Sequence, residues 1–182
     1  CHPSMANNEC SGPALAVGLM DYVKSLSKEN KKPRYTYRFL FVPESIGSIS
    51  YMSQNLAHMK QHVKAIFVLS CVGDNNDYSI IHSRYGKTLA DKVLTNVLKY
   101  HYKDYSDYSY LQRGSDEKHY NAPGVDLPAV AFCRSKYGEF KEYHTSEDNM
   151  DYIQFLPQLS SIKMVPLLRA SLGPWVLKNS MK

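Results

Sequence analysis

Two short, uninterrupted apolar runs constrain this chain most. They are "VKAIFVLSCVG", residues 63–73, and "LPAVAFCRS", residues 127–135. An apolar residue at nearly every position means a strand buried on both faces, the condition of a parallel sheet covered by helices on either side. The spacing elsewhere is helical. In "TLADKVLTNVLKYHY" Leu89, Val93, Val97 and Tyr100 fall on one side. From Ala14 to Leu26 the chain is apolar on most sides, which predicts a well-buried helix with Ser11 as its N-cap and Pro13 in its first turn. A further helix is predicted around residues 48–60. "RYTYRFLFVPE" predicts a strand with Tyr35, Tyr37, Phe39 and Phe41 on one face and Leu40 and Val42 on the other, stopped by Pro43. "YSIIHS" predicts a short strand, and the tyrosine-rich "YHYKDYSDYSYL" a loop with an edge strand. Helix and strand alternate, so the expected class is α/β with a largely parallel central sheet.

At 182 residues the chain can build one real core. Its 22 basic and 17 acidic residues leave a net charge of +5, with no long basic block. The cluster Lys28-Glu29-Asn30-Lys31-Lys32 is expected to be a solvated connection, and nucleic acid is not an expected partner. No apolar run reaches the roughly 18 residues of a membrane span. The four cysteines, Cys1, Cys10, Cys71 and Cys133, form no CxxC pair, and Cys71 and Cys133 fall in apolar runs. Free buried thiols and a reducing cytoplasm are expected.

Polar residues gather where strands end. His2 and Asn8 precede the first helix, Glu44 and Ser45 follow one strand, residues 70–74 end another, and His144 lies beyond "LPAVAFCRS". Sites in open α/β sheets form at the carboxyl ends of strands, so loops from separate strands can bring His2, Glu44 and His144 together.

Five motifs in this order, "CHPSMANNECSG", "FLFVPESIGS", "VLSCVGD", "GSDEKHYNAPGVDLP" and "EYHTSED", resemble the aminopeptidase-like family designated a domain of unknown function, found in bacterial gene clusters for surface polysaccharides and related to the co-catalytic di-zinc aminopeptidases. The resemblance runs from Cys1 to about Ile153. It implies an aminopeptidase-like domain over residues 1–153 and leaves 154–182 unassigned. In that family a core strand precedes "CHPS", so the chain is expected to lack the first strands of its own sheet. The implied fold is three-layer α/β/α with a mixed, mostly parallel sheet.

The resemblance implies roles residue by residue. His2 and His144 match metal-binding histidines. Asn8 falls where the di-zinc enzymes have a bridging aspartate, and Glu44 matches their general base. Asp116 falls near a polar motif that lines the related sites. Ser45 and Ser70 stand where the di-zinc enzymes have carboxylate ligands. Two zinc ions need anionic ligands to offset their repulsion, so one zinc is expected, held by His2, His144 and the amide oxygen of Asn8, with Glu9 as an alternative donor. The implied activity is a zinc-dependent hydrolase of an amide or peptide bond in a small peptide or other amide-containing substrate. The alternative is a non-catalytic metal- or ligand-binding domain that keeps the fold. Asp116 is a candidate to support a ligand histidine. Arg84 and Arg134 are candidates to hold a substrate carboxylate. His58, His62, His82, His101 and His119 show no metal-ligand spacing and are expected at the surface.

Overall fold

The two continuous apolar runs become adjacent parallel strands. In the computed structural model, which describes residues 4–28, 35–102 and 104–153, β1 (Ile66–Leu69) pairs with β4 (Ala129–Cys133) in the register Ile66 to Ala129. β4 is buried along its whole length. Its other edge takes β2 (Ser79–Ile81), antiparallel, and β2 takes the edge strand β3 (Ser106–Tyr108), parallel. The sheet is mixed, in the order β1-β4-β2-β3. Position 2, the connection at residues 29–32 and the segment after Ile153 lie outside the described residues.

Helices cover both faces. On one face α1 (Ser11–Lys28) contributes Leu15, and α3 (Leu89–His101) contributes Ala90, Leu94, Val97 and Leu98. They pack against Ile80, Val130 and Phe132, which point the same way by the two-residue period of strands. On the other face α2 (Ile46–His62) and the short α4 (Glu117–Tyr120) bring Met52, Met59 and Tyr120 onto Ala129. Beside them Cys71, Ile81, Ala131, Cys133 and Tyr137 form a third cluster. This is the expected three-layer α/β/α arrangement. Cys71 and Cys133 are free, buried thiols. Among the described residues no helix is long and apolar enough to cross a membrane.

Five local expectations are corrected. The buried stripe of α3 is Ala90, Leu94, Val97 and Leu98, while Leu89 and Tyr100 are 37% and 73% exposed. The helix entry sets that rotation. Thr88 caps α3 in a reciprocal box with Asp91, and the same carboxylate accepts the Ser83 N–H at 2.9 Å, so the helix is pinned with positions 90 and 91 inward. Helix α1 is half-exposed, with Val17 and Met20 at the surface, and it continues a π-helical turn, Ala6–Cys10, so Ser11 lies inside the helical run rather than at its cap. Strand β1 is half-buried because only one of its edges is paired within the sheet. Its Ile66 N–H donates to Pro128 and its neighbour Ser70 N–H to Phe132, which by strand parity aims the Phe67 and Leu69 amides the other way. Residues 35–42 belong to no strand of the four-stranded sheet; with β1 they line a common groove.

The last correction is His82, a working part of the fold rather than a surface residue. Its Nδ1 lies 2.8 Å from Asp91 and its Nε2 2.9 Å from Asp107 of β3, with its side chain 19% exposed. The hydrogen bond to Asp91 raises its pKa above the usual histidine value, against the opposing effect of burial, with Asp107 adding to the rise. A raised folded pKa gives stability that is complete below the unfolded pKa of about 6.5 and is lost as pH rises through the folded value. The wild type is therefore expected to lose stability as pH rises above about 6.5 by an increment that His82→Gln lacks. Urea melts of both proteins between pH 5.5 and 9 check this; parallel curves for the two would contradict it.

Candidate functional site

The polar ends of β1 and β4, the π-turn before α1 and the loop after Tyr137 meet at one end of the sheet, and a buried network ties them. Asn7 is fully buried. Its Nδ2 donates to Asp74 at 3.0 Å, and its Oδ1 accepts the Gly73 N–H at 2.7 Å. Asp74 in turn accepts the Ser135 hydroxyl at 2.8 Å and the Ser135 N–H at 3.1 Å. Ser11 donates its hydroxyl to the Asn7 carbonyl and accepts the Val72 N–H at 2.9 Å. Asp148, also fully buried, accepts the Asn7 N–H at 2.6 Å and the Asn8 N–H at 3.0 Å. Such charge-assisted bonds are stronger than neutral ones, which offsets the cost of burying two carboxylates. Gly12 completes the seat: a Cβ there would stand 2.4 Å from the Leu69 carbonyl oxygen, so α1 meets the end of β1 only because residue 12 has no side chain.

A second device sets Glu44. The Ile46 N–H donates to the Glu44 carbonyl at 2.7 Å across Ser45, whose φ and ψ of 61° and −68° form a three-residue turn with positive φ. A non-glycine residue there costs about 1–3 kcal/mol and persists only where its surroundings hold it. Asp116 does so, accepting the Ser45 N–H at 2.8 Å and the Ser48 hydroxyl at 2.9 Å. The His119 ring lies 2.9 Å from the Ser45 hydroxyl. Asp116 thus braces the turn into α2 from another part of the chain, with its charge at the positive end of the helix.

These loops open on a groove of about 1820 Å³. Asn8, Glu9, Glu44, Ser70 and Asp116 all line it, as does Tyr143, the residue before His144. The Tyr143 phenol is pushed up to about 12 by burial and then by the nearby Cys71, Glu44 and Glu9. The Cys71 thiol is also pushed up to about 12, mainly by burial, and lies 3.5 Å from the Asn8 amide oxygen, to which it donates. His144 itself is exposed, has φ of 59°, and stacks on Tyr143 with ring centroids 3.9 Å apart. His2 lies outside the described residues, so the structure carries no distance between the two imidazoles. Arg134 turns elsewhere: its Nε donates to the Asp77 carbonyl at 2.6 Å and its guanidinium lies 3.8 Å over the Tyr78 ring. Arg84 pairs with Asp126.

Asn8 and Ser70 bring neutral oxygens to the groove, Glu9 and Glu44 bring carboxylates, and His58, His62 and His82 also line it. Among the described residues no group of three His, Cys, Asp or Glu side chains stands where it could hold a metal. Sequence reasoning passed over Asn7, His119, Asp74 and Asp148. The two aspartates lie inside quoted motifs, and their aspartate identity was the available signal. Nothing in "ANNE" tells which asparagine turns inward.

The model of the family described as a domain of unknown function, DUF4910, matches residues 1–167. A Clostridium acetobutylicum protein provisionally named a polysaccharide biosynthesis protein with an aminopeptidase-like domain is 40% identical over 153 residues, covering 84% of this chain and 34% of that one. The chain thus spans about a third of this relative's length. A crystal structure from the same organism, provisionally named a peptidase, superposes with a TM-score of 0.78 at 35% identity, over 94% of this chain and 38% of that one. The Legionella pneumophila LapA aminopeptidase shares the fold, with a TM-score of 0.58 at 20% identity over 92% of this chain and 45% of its own.

Removing the Asp116 carboxylate leaves the Ser45 N–H without its acceptor and the turn unsupported. Asp116→Ala is expected to destabilise the protein by about 1–3 kcal/mol, read by chemical denaturation; Asp116→Asn, which keeps one acceptor oxygen, should lose less.

Proposed function

The chain belongs to the DUF4910 family, and on that footing we propose that it is the aminopeptidase-like part of a hydrolase that cleaves an amide or peptide bond. One observation carries the reading. Glu44 stands on a strained turn, braced by a separate carboxylate, and lines the same groove as Asn8, Glu9 and Ser70. Strain held at Ser45, next to Glu44 in the chain and beside a polar groove, supports a reading in which the position of Glu44 matters.

One zinc ion would be held by His2 and His144 with the Asn8 amide oxygen, Glu9 being the alternative oxygen donor; when bound, it supplies positive charge for the scissile carbonyl and a water of lowered pKa. Glu44 accepts the proton of the attacking water at its carboxylate and returns it to the leaving nitrogen. The substrate is a small peptide or another amide-containing molecule. The mild net charge gives no footing for nucleic acid, and the protein works in the cytoplasm, where Cys71 and Cys133 stay reduced.

A second reading has its own support. Asn8, Ser45 and Ser70 are neutral, and the Asn8 amide oxygen already accepts the Cys71 thiol. A domain that keeps the fold and binds a ligand without turnover fits that chemistry.

Glu44→Gln separates the two in the full-length protein of which these residues are about a third in its relative. In a hydrolase, zinc binding persists while kcat falls roughly 10²- to 10⁴-fold. A zinc-loaded wild type that cleaves no amide offered, with a Glu44→Gln form binding the same ligands equally well, supports the binding module instead. Asn8→Asp adds a negative charge and a better donor and should tighten zinc in a chelator competition titration. Unchanged affinity in a folded Asn8→Asp protein removes Asn8 from the ligand set.

A further inference from the structure

The first turn of a helix leaves backbone N–H groups without partners, and a side chain just before it normally takes them. Met5 precedes the π-turn here and makes no side-chain cap. The donors turn instead to a residue about 140 positions away. Ala6 N–H donates to the Asp148 carbonyl at 3.0 Å, Asn7 N–H to its Oδ1 at 2.6 Å and Asn8 N–H to its Oδ2 at 3.0 Å. Three consecutive amides thus end on one buried residue, and its charge sits at the positive end of the helix. The Cys10 N–H reaches back to the Met5 carbonyl at 3.3 Å, the wide turn that sets the direction of Asn8 and Glu9. Asp148 stands four residues after His144 and five after Tyr143, on a loop whose tyrosine lines the groove.

We propose that Asp148 is the positioning residue of the site: it clamps the turn bearing Asn8 and Glu9 to the loop bearing Tyr143 and His144, and so holds the two halves of the donor set at a fixed separation. The proposal rests on the zinc-hydrolase reading above for its consequence, though not for its geometry. Asn7, the other buried member of the turn, is anchored to Asp74 and Gly73 and fixes the turn against β1. Asp148 joins it to the His144 loop through these three bonds. A general cap would act at any helix end; this one meets Asn8 on one side and carries His144 on the other.

The test uses the full-length protein and zinc. Asp148→Asn keeps the shape but turns an amide N–H toward one of the two backbone donors. Zinc affinity, read by competition titration, should fall ten- to a hundredfold, the range seen when an outer partner of a metal ligand is lost. Amide hydrogen exchange at Asn7, Asn8 and residues 143–145 should quicken together while α3 stays protected. Asp91→Asn alters a comparably buried carboxylate at the start of α3, whose bonds go to His82, Ser83 and Thr88 rather than to these loops, and should lower the melting temperature without weakening zinc. That contrast is one a merely structural role would not produce. If Asp148→Asn fails to fold, Asp148→Ser keeps one acceptor and should show an intermediate loss. In the wild type the amides of Asn7 and Asn8 must be slow to exchange. The clamp is overturned by wild-type zinc affinity in a folded Asp148→Asn protein, by equal zinc loss in Asp91→Asn, or by fast exchange at Asn7 and Asn8 in the wild type. A wild type that binds no zinc overturns the hydrolase reading, and the exchange data then still decide the clamp.

Discussion

The open end of the sheet depends on hydrogen bonds that close on Asn7. Its side chain binds the loop after β1, its N–H binds Asp148, its carbonyl takes the Ser11 hydroxyl, and through Asp74 it reaches the loop after β4. A buried amide with one bond missing would cost about 1–3 kcal/mol, so such a network is stable only when it is complete. Satisfied throughout, it specifies one arrangement of four segments that share no secondary structure. Everything that could act in the groove is carried by those segments or by the braced turn at Ser45. The hydrophobic core lies below and sets where the strands end; the polar network sets what stands there.

The core was legible because burial leaves a periodic trace. Continuous apolar runs marked β1 and β4 as buried strands of a largely parallel sheet, a generally apolar stretch found α1, and the helical spacing of apolar residues found α3. The same signal went wrong by one residue on α3, since a hydrophobic count weighs Leu89 and Ala90 by size. The rotation was decided by Asp91, whose carboxylate is held well below the usual range: burial would raise it, but bonds from His82, Ser83 and Thr88 prevail. Residues 35–42 show the reverse. Their alternation predicted a strand, but they enter none in the sheet, because pairing is a property of the neighbour as much as of the strand.

The site was legible only through motifs, and only in part. Asn8, Glu44 and Asp116 line one groove, yet the resemblance could not say that Asp116 reaches Ser45, because a bond between residues 71 apart has no local signature. His82 and His119 were set aside for lacking metal-ligand spacing, and each nevertheless has a partner: two aspartates for one, the Ser45 hydroxyl for the other. Spacing rules detect ligands along one element. They are silent about groups that gather from several.

Gly12 carries no chemistry, and that is why it is informative. The contact with the Leu69 carbonyl leaves no room for even a methyl group, so the helix and the strand end behave as one rigid joint. Lineages descended from a common ancestor can change Asn8 or Ser70, whose side chains line the groove, without disturbing this joint. They cannot exchange residue 12 in the same way. Across such a lineage the glycine should outlast the reactive groups it seats, so that the persistence of a position would report the age of the architecture rather than the survival of an activity.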